Sequence, residues 1–295
     1  MKPGQIIPVA GPVSLVVGLN DGNFPRCHGI LIEDRETALI DPGCGTQVIT
    51  PLRDRVDLVI NTHTHPDHTS GNYLFAGREL LVPIQAKESA GDFERLSRRF
   101  AQPGPLAEQW KVFARETVGL REYRPTGFYE PDQEIKIGRT RLRVVHVPGH
   151  TADHCCLFLP EHDLLISADV DFTFFGPWYG HLESDLALFR RSVGRLVDLK
   201  PKVTISSHRE PLLGGFEEAL EIFMGVIDKR SNLILQLLQQ EQSLSELVDR
   251  APIYRRFPYA ETLMRFWEGR MIEEHLKELI AQGKARPTDR GFVAL

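Results

Sequence analysis

Between Asn61 and Gly71 the chain places His63, His65, Asp67 and His68 within six residues. Histidine is neutral near pH 7 and is the commonest nitrogen ligand, and aspartate adds a hard oxygen, so these types at this spacing suit zinc or a similar divalent ion. Packing has no comparable use for three imidazoles and a carboxylate in one short loop. The apolar run 56–60 just before them reads as a buried strand, which puts the cluster where a strand gives out into a loop. Three more polar residues follow later strand-like runs: His150 after 142–147, Asp169 after 164–168 and His208 after 202–206. A lone histidine at a strand end is more often structural than a ligand; the ordered set points to one site.

The elements that must position these residues follow from periodicity. Apolar runs at 13–19, 29–33 and 37–41, separated by glycine, proline and asparagine, read as strands joined by tight turns, and Asp41-Pro42-Gly43-Cys44-Gly45 ends that ladder. A short helix over 48–55 leads to the strand before the cluster. Phe93, Leu96, Phe100, Leu106, Trp110 and Phe113 recur at helical spacings over 87–100 and 106–119, broken by Pro103-Gly104-Pro105, which predicts an inserted helical hairpin within residues 85–130. The hairpin reads equally as plain core helices or as a cover over the metal pocket. Strand pairs follow at 134–137 with 142–147 and at 155–159 with 164–168, then an amphipathic helix over 186–199. Beyond Gly214-Gly215 the chain is helical: 216–242, a capping box at Ser243 to Glu246, a helix over 268–282, and a terminal hairpin turning at Asp289-Arg290-Gly291. This divides the chain into a catalytic domain, 1–214, and a small winged-helix-like domain, 215–295.

Composition sets the limits. The 295 residues are 42% hydrophobic and 25% charged, which describes an ordinary globular protein with room for one large domain and one small one. A formal net charge of −5 argues against a protein that holds polyanions by charge alone. Cys27, Cys44, Cys155 and Cys156 show no CxxC spacing, and sequence neighbours are poor disulfide partners, so a reducing compartment is expected. Pro3, Pro8, Gly11 and Pro12 interrupt the apolar core a signal peptide needs, and no run reaches the length of a membrane span. The expected location is the cytoplasm, with no membrane partner.

His63-Thr-His65-Pro-Asp67-His68, followed in order by Pro148-Gly149-His150-Thr151, Asp169 and His208, resembles the signature of the metallo-β-lactamase superfamily over residues 5–211, closest in spacing to its glyoxalase II and lactonase branches. The resemblance implies an α/β fold, an αββα sandwich with these loops along one edge. It also implies that His63, His65 and His150 hold one metal, that Asp67, His68 and His208 hold a second, and that Asp169 bridges them. His65 stands where the oxygen-reducing diiron members usually carry glutamate, which favours zinc over iron or manganese. Three neutral imidazoles leave a divalent metal under-neutralised, which lowers the pKa of a bound water from about 15.7 toward roughly 7. A hydroxide bridging two metals is then expected to attack an electrophilic carbonyl, with Asp67 as the catalytic carboxylate that orients it.

His154 matches the second histidine of a PGHTxxH form of the motif and reads as support for the ligands. The segment 171–180 carries five aromatics directly after Asp169, so Phe172, Trp178, Tyr179 and His181 are candidates for substrate contact, with Tyr179 or His181 as donors to a developing oxyanion. The first functional reading is a hydrolase of thioesters, lactones or other small esters. The second is an endoribonuclease or phosphodiesterase, because the C-terminal domain looks like the winged-helix tail of a lactamase-like branch that includes ribonucleases. Residues 216–295 hold 11 Lys and Arg against 13 Asp and Glu, which counts against nucleic acid as the partner. The third is a non-catalytic metal-binding module with the winged helix serving homodimer contacts; it requires a missing ligand, and none is missing.

Overall fold

The structure, a computed structural model, describes residues 1–295. Two sheets stack face to face. The first has seven strands in chain order: β1 (Ile6–Ala10), β2 (Val13–Val16), β3 (Gly29–Glu33), β4 (Thr37–Ile40), β5 (Leu58–Ile60), β6 (Glu79–Pro83) and β7 (Gly127–Tyr129). Its first four strands pair antiparallel, and from β4 onward the pairing is parallel. Helices interrupt the parallel part: α1 (Thr46–Ile49), α2 (Pro66–Thr69), α3 (Phe93–Phe100) and α4 (Pro105–Phe113). The second sheet is built from β8 (Glu134–Ile137), β9 (Thr140–His146), β10 (Cys155–Leu159), β11 (Leu164–Ala168), β12 (Val203–Ser206) and β13 (Leu212–Leu213), in the order β13-β12-β11-β10-β9-β8, with α5 (Leu186–Gly194) connecting β11 to β12.

Alternation along the strands explains the layering, because successive side chains point to opposite faces. Ile30, Ile32, Ala38, Ile40, Leu58 and Ile60 face Leu142, Val144, Leu157, Leu159, Leu164 and Ile166 in the core between the sheets. Their neighbours Leu31, Leu39 and Val59 turn outward onto a second core shared with Phe93, Leu96, Phe100 and Trp110 of the hairpin helices. On the opposite side Cys156, Phe158 and Leu165 meet α5 and the C-terminal helices α6 (Phe216–Leu237), α7 (Leu244–Arg250) and α8 (Glu261–Ala281). The result is the expected αββα sandwich. Its C-terminal segment ends in the antiparallel pair β14 (Ala285–Pro287) and β15 (Phe292–Ala294) and shares a continuous core with the second sheet.

Local departures from the sequence expectation have physical causes. The helix expected over 48–55 is α1 followed by a 3-10 turn at Thr50–Leu52, because Pro51 removes a backbone donor there. The helix expected from Glu268 begins at Glu261, where Ala260 precedes it with a left-handed backbone and no side-chain cap to announce the start. The hairpin forms as α3 and α4, the second continuing as a π-helical turn at Ala114–Val118. No helix is long and apolar enough to cross a membrane.

Candidate metal centre

Loops at one edge of the sandwich carry every polar residue singled out by spacing. His63 and His65 follow β5, and Pro66 opens α2 at its first position, where a missing N–H costs nothing, so Asp67 and His68 start a helix. His150 lies beyond β9, Asp169 just beyond β11, and His208 just beyond β12. The loops approach closely: a Cβ on Gly43 would lie 1.4 Å from the Asp67 carbonyl oxygen, so only glycine lets the loop after β4 pack on α2.

Two groups of donor atoms converge, His63, His65, His150 and Asp169 in one and Asp67, His68 and His208 in the other, each with its atoms within 4.8 Å of one another. Asp169 faces both. Its Oδ2 lies 3.1 Å from His150 Nε2, 3.6 Å from His63 Nε2 and 3.7 Å from His65 Nδ1, while its Oδ1 lies 3.0 Å from His68 Nε2 and 3.5 Å from His208 Nε2. Asp67 Oδ2 is 3.8 Å from His68 Nε2 and 3.7 Å from His208 Nε2. His63 Nε2, His68 Nε2 and Asp169 Oδ1 are buried and make no well-directed hydrogen bond, the 3.0 Å approach of His68 to Asp169 included. Buried polar atoms left this way are costly unless something satisfies them, and a cation between them does so. The donor set therefore fits divalent metal ions.

The outer nitrogen of each imidazole is engaged, which turns the inner one toward the Asp169 carboxylate, with His150 Nε2 and His65 Nδ1 3.0 Å apart. His150 Nδ1 pairs with the Trp178 carbonyl at 2.7 Å, and His208 Nδ1 with the Gly22 carbonyl at 2.7 Å. Thr62 Oγ1 lies 3.1 Å from His63 Nδ1, and His181 Nδ1 lies 3.1 Å from His65 Nε2. For His68 the partner is Asp41, whose Oδ2 is 2.9 Å from Nδ1 and also accepts from Thr62 Oγ1 at 2.6 Å, while its Oδ1 accepts from the Thr62 amide at 2.8 Å. A carboxylate behind a histidine fixes the tautomer and raises ligand basicity. Sequence reasoning missed Asp41 because Asp-Pro-Gly after a strand reads as a turn.

The electrostatics agree. Burial alone would lower His68 and His208, yet the surrounding carboxylates outweigh it: Asp169, Asp41 and Asp67 raise His68 well above its ordinary value, and Asp169 and Asp67 bring His208 to about 9. Burial would raise Asp169, but His68 and His63 hold its carboxyl well below the usual range. Burial, with His68 as neighbour, depresses His63, and burial together with His150 lowers His65 to about 4. Protons and metal ions compete for the same donors here.

The remaining sequence candidates separate. His154 stands behind the donors: its Nδ1 reaches the Val147 carbonyl at 3.1 Å and its Nε2 accepts from the Asp169 amide at 3.2 Å. Phe172, Trp178 and His181 line a cavity of about 1140 Å³ that opens over His65, Asp67, His150, Asp169 and His208. Tyr179 does not reach it. That side chain is fully buried, and its hydroxyl lies 2.7 Å from His275 Nε2 and accepts from Arg230 at 3.0 Å, so it is unavailable as an oxyanion donor. The cavity's far wall comes from Trp110 and Phe113 of α4 and from Tyr254, Tyr259 and Trp267 of the C-terminal segment.

Sequence reasoning also missed Arg99. From α3 it donates to Thr64 Oγ1 at 2.8 Å, Ser89 Oγ at 2.9 Å and Asp153 Oδ1 at 2.8 Å, and it grips both oxygens of Glu183 at 2.6 and 2.8 Å. Asp153 in turn accepts from the Thr64 amide at 3.0 Å and from its hydroxyl at 2.6 Å. One guanidinium thus ties together the loops that carry His65, His150 and His181.

Comparison with known proteins agrees with this geometry. The pattern that defines the Metallo-beta-lactamase superfamily matches residues 23–208. The chain belongs to that superfamily. It is 26% identical over 218 residues to a hydroxyacylglutathione hydrolase of Psychromonas ingrahamii, covering 71% of this chain and 70% of the relative. It is 32% identical over 160 residues to the acyl-coenzyme A thioesterase MBLAC2 of Bos taurus, covering 46% of this chain and 54% of that one. A metallo-beta-lactamase family protein of Thermus thermophilus shares the fold, with a TM-score of 0.71 at 21% identity over 98% of this chain and 97% of its own.

Proposed function

We propose that the protein hydrolyses an ester or thioester at a two-metal centre. In this reading His63, His65, His150 and one oxygen of Asp169 hold one divalent ion, and Asp67, His68, His208 and the other oxygen of Asp169 hold the second. The observation that carries it is the convergence of buried imidazole and carboxylate atoms, three of them without a well-directed hydrogen bond, on a point open to the cavity. When bound, two such ions, zinc by preference with iron or manganese as substitutes, supply activated water near neutral pH and polarise the carbonyl. In this reading Asp67, which lines the cavity, orients the attacking water and takes its proton. Trp178 and Phe172 border the cavity where the scissile carbonyl sits and exclude bulk water from it.

The names of the relatives, a hydroxyacylglutathione hydrolase and an acyl-coenzyme A thioesterase, support a thioester or ester over a phosphodiester. We further propose that residues 215–295 are a wall-building domain, since Phe223, Val226, Tyr254 and Trp267 line the cavity and the segment carries more acidic than basic residues. The test is a panel of thioesters, lactones, phosphodiesters and single-stranded RNA with zinc-reconstituted protein and a chelated control. Thioester or ester turnover that vanishes on chelation is expected; turnover of RNA alone overturns the reading.

A further inference from the structure

The cavity is larger and more aromatic than cleavage of a small ester requires. Ligand pockets commonly enclose about 300–1000 Å³, and this one holds about 1140 Å³. Part of its wall is a stack of rings from three distant parts of the chain. Phe113 of α4 stacks with Phe24, with ring centroids 6.1 Å apart and planes 15° apart, and with Tyr259, 6.3 Å away and inclined by 1°. Trp267 meets Phe113 edge-on at 5.7 Å. These rings line the same cavity as His65 and Asp169. The lining also exposes large apolar side chains among charged ones such as Arg209, Glu210 and Lys229: Phe24 is 42% exposed, Tyr259 47%, Ile222 64% and Phe174 93%. Large apolar side chains exposed at a cavity are unfavourably hydrated until a ligand covers them, and such patches mark binding surfaces.

We infer that the substrate carries a bulky apolar acyl group, an alkyl chain of roughly eight or more carbons or its aromatic equivalent, which lies in the basin formed by Phe24, Phe113, Tyr259 and Trp267. The bond cleaved rests on the hydrolase reading above; the shape and polarity of the basin do not. In the reaction water adds across the acyl C–S or C–O bond, the acyl group leaves as the carboxylic acid, and the thiol or alcohol takes the other proton. No oxidant or second substrate is needed. The basin supplies binding along the chain, so each methylene buried should raise kcat/KM by about two- to fourfold until the space is filled.

The experiment compares S-acetyl, S-hexanoyl and S-decanoyl N-acetylcysteamine with the zinc-loaded protein, and measures in parallel the binding of the decyl and methyl thioethers of N-acetylcysteamine, which cannot be hydrolysed. The expected result is a kcat/KM for decanoyl at least about 250-fold above acetyl, eight methylenes at about twofold or more each, and selective binding of the decyl thioether. In Phe24→Ala and Tyr259→Ala, chosen because both rings are half exposed, the decanoyl-to-acetyl ratio should fall at least tenfold. A flat chain-length profile overturns the inference and leaves the hydrolase reading standing, as does a decyl thioether that binds no better than the methyl one. Selective decyl binding without turnover of any thioester, or of decyl acetate and decanoate esters run beside them, supports the apolar basin and overturns the hydrolase reading instead.

Discussion

Replacing Arg99 by methionine tests whether the inserted hairpin helps to build the metal centre or merely packs beside it. The guanidinium is 15% exposed and Asp153 is fully buried, so the substitution leaves a buried carboxylate with only the Thr64 amide and hydroxyl to satisfy it. Burial alone would raise Asp153; Arg99 is the first influence that holds its carboxyl well below the usual range. Removing one partner of a buried pair costs about 3–5 kcal/mol. Because Arg99 also fixes Thr64, between His63 and His65, and Glu183, beside His181, metal affinity should fall as well, by the ten- to hundredfold typical of lost ligand support. Urea unfolding of the metal-free protein reads the first effect, and chelator competition with cobalt or zinc reads the second. Arg99→Lys keeps the charge without the planar fork, so it should recover stability more than metal affinity. If Arg99→Met lowers stability but leaves metal affinity within twofold of wild type, the network is structural only and the reasoning is refuted.

Asp41→Ala leaves His68 Nδ1 and the Thr62 amide without their shared acceptor, and should weaken the second of two metal-binding steps about ten- to hundredfold in a calorimetric titration while sparing the first. Arg230→Met frees the Phe175 and Pro177 carbonyls that the guanidinium now holds, loosening the aromatic loop; KM should rise several-fold with kcat changed less. His275 is lowered from its ordinary 6.5 to about 3, first by burial and then by Arg230, so its folded form stays neutral. The stability it contributes is complete above pH 6.5 and is lost as pH falls toward 3, amounting to about 2 kcal/mol by pH 5. His275→Gln should flatten that part of the acid limb in urea-midpoint measurements; an unchanged slope excludes His275 as its source.

The convergence of the histidines and aspartates was legible because metal chemistry restricts donor types, and the fold's strand ends fix their order in the chain. The strands were legible because 29–33, 37–40, 155–159 and 164–168 are largely apolar runs, as strands buried on both faces must be. Arg99 was not: it follows Arg98 on a helix whose basic residues read as a solvated face, yet Arg98 is 65% exposed and Arg99 15%. Its place one residue before Phe100 and three after Leu96, at the margin of the apolar stripe, was the available signal. Tyr179 misled for the opposite reason. Its loop passes the cavity, but a buried hydroxyl needs partners, and Arg230 and His275 supply them from helices far along the chain. Strand β7 has only three residues and begins with Gly127, so it carries no readable period.

The central claim is a two-metal hydrolytic centre, and its most direct test is a zinc titration of chelated protein, followed by mass spectrometry for bound metal and by decanoyl thioester hydrolysis. Two zinc ions per chain are predicted, with activity restored as the second binds, and Asp169→Asn should lower both stoichiometry and rate. Full activity in metal-free protein, or failure of the wild type to bind more than one zinc, would contradict the account.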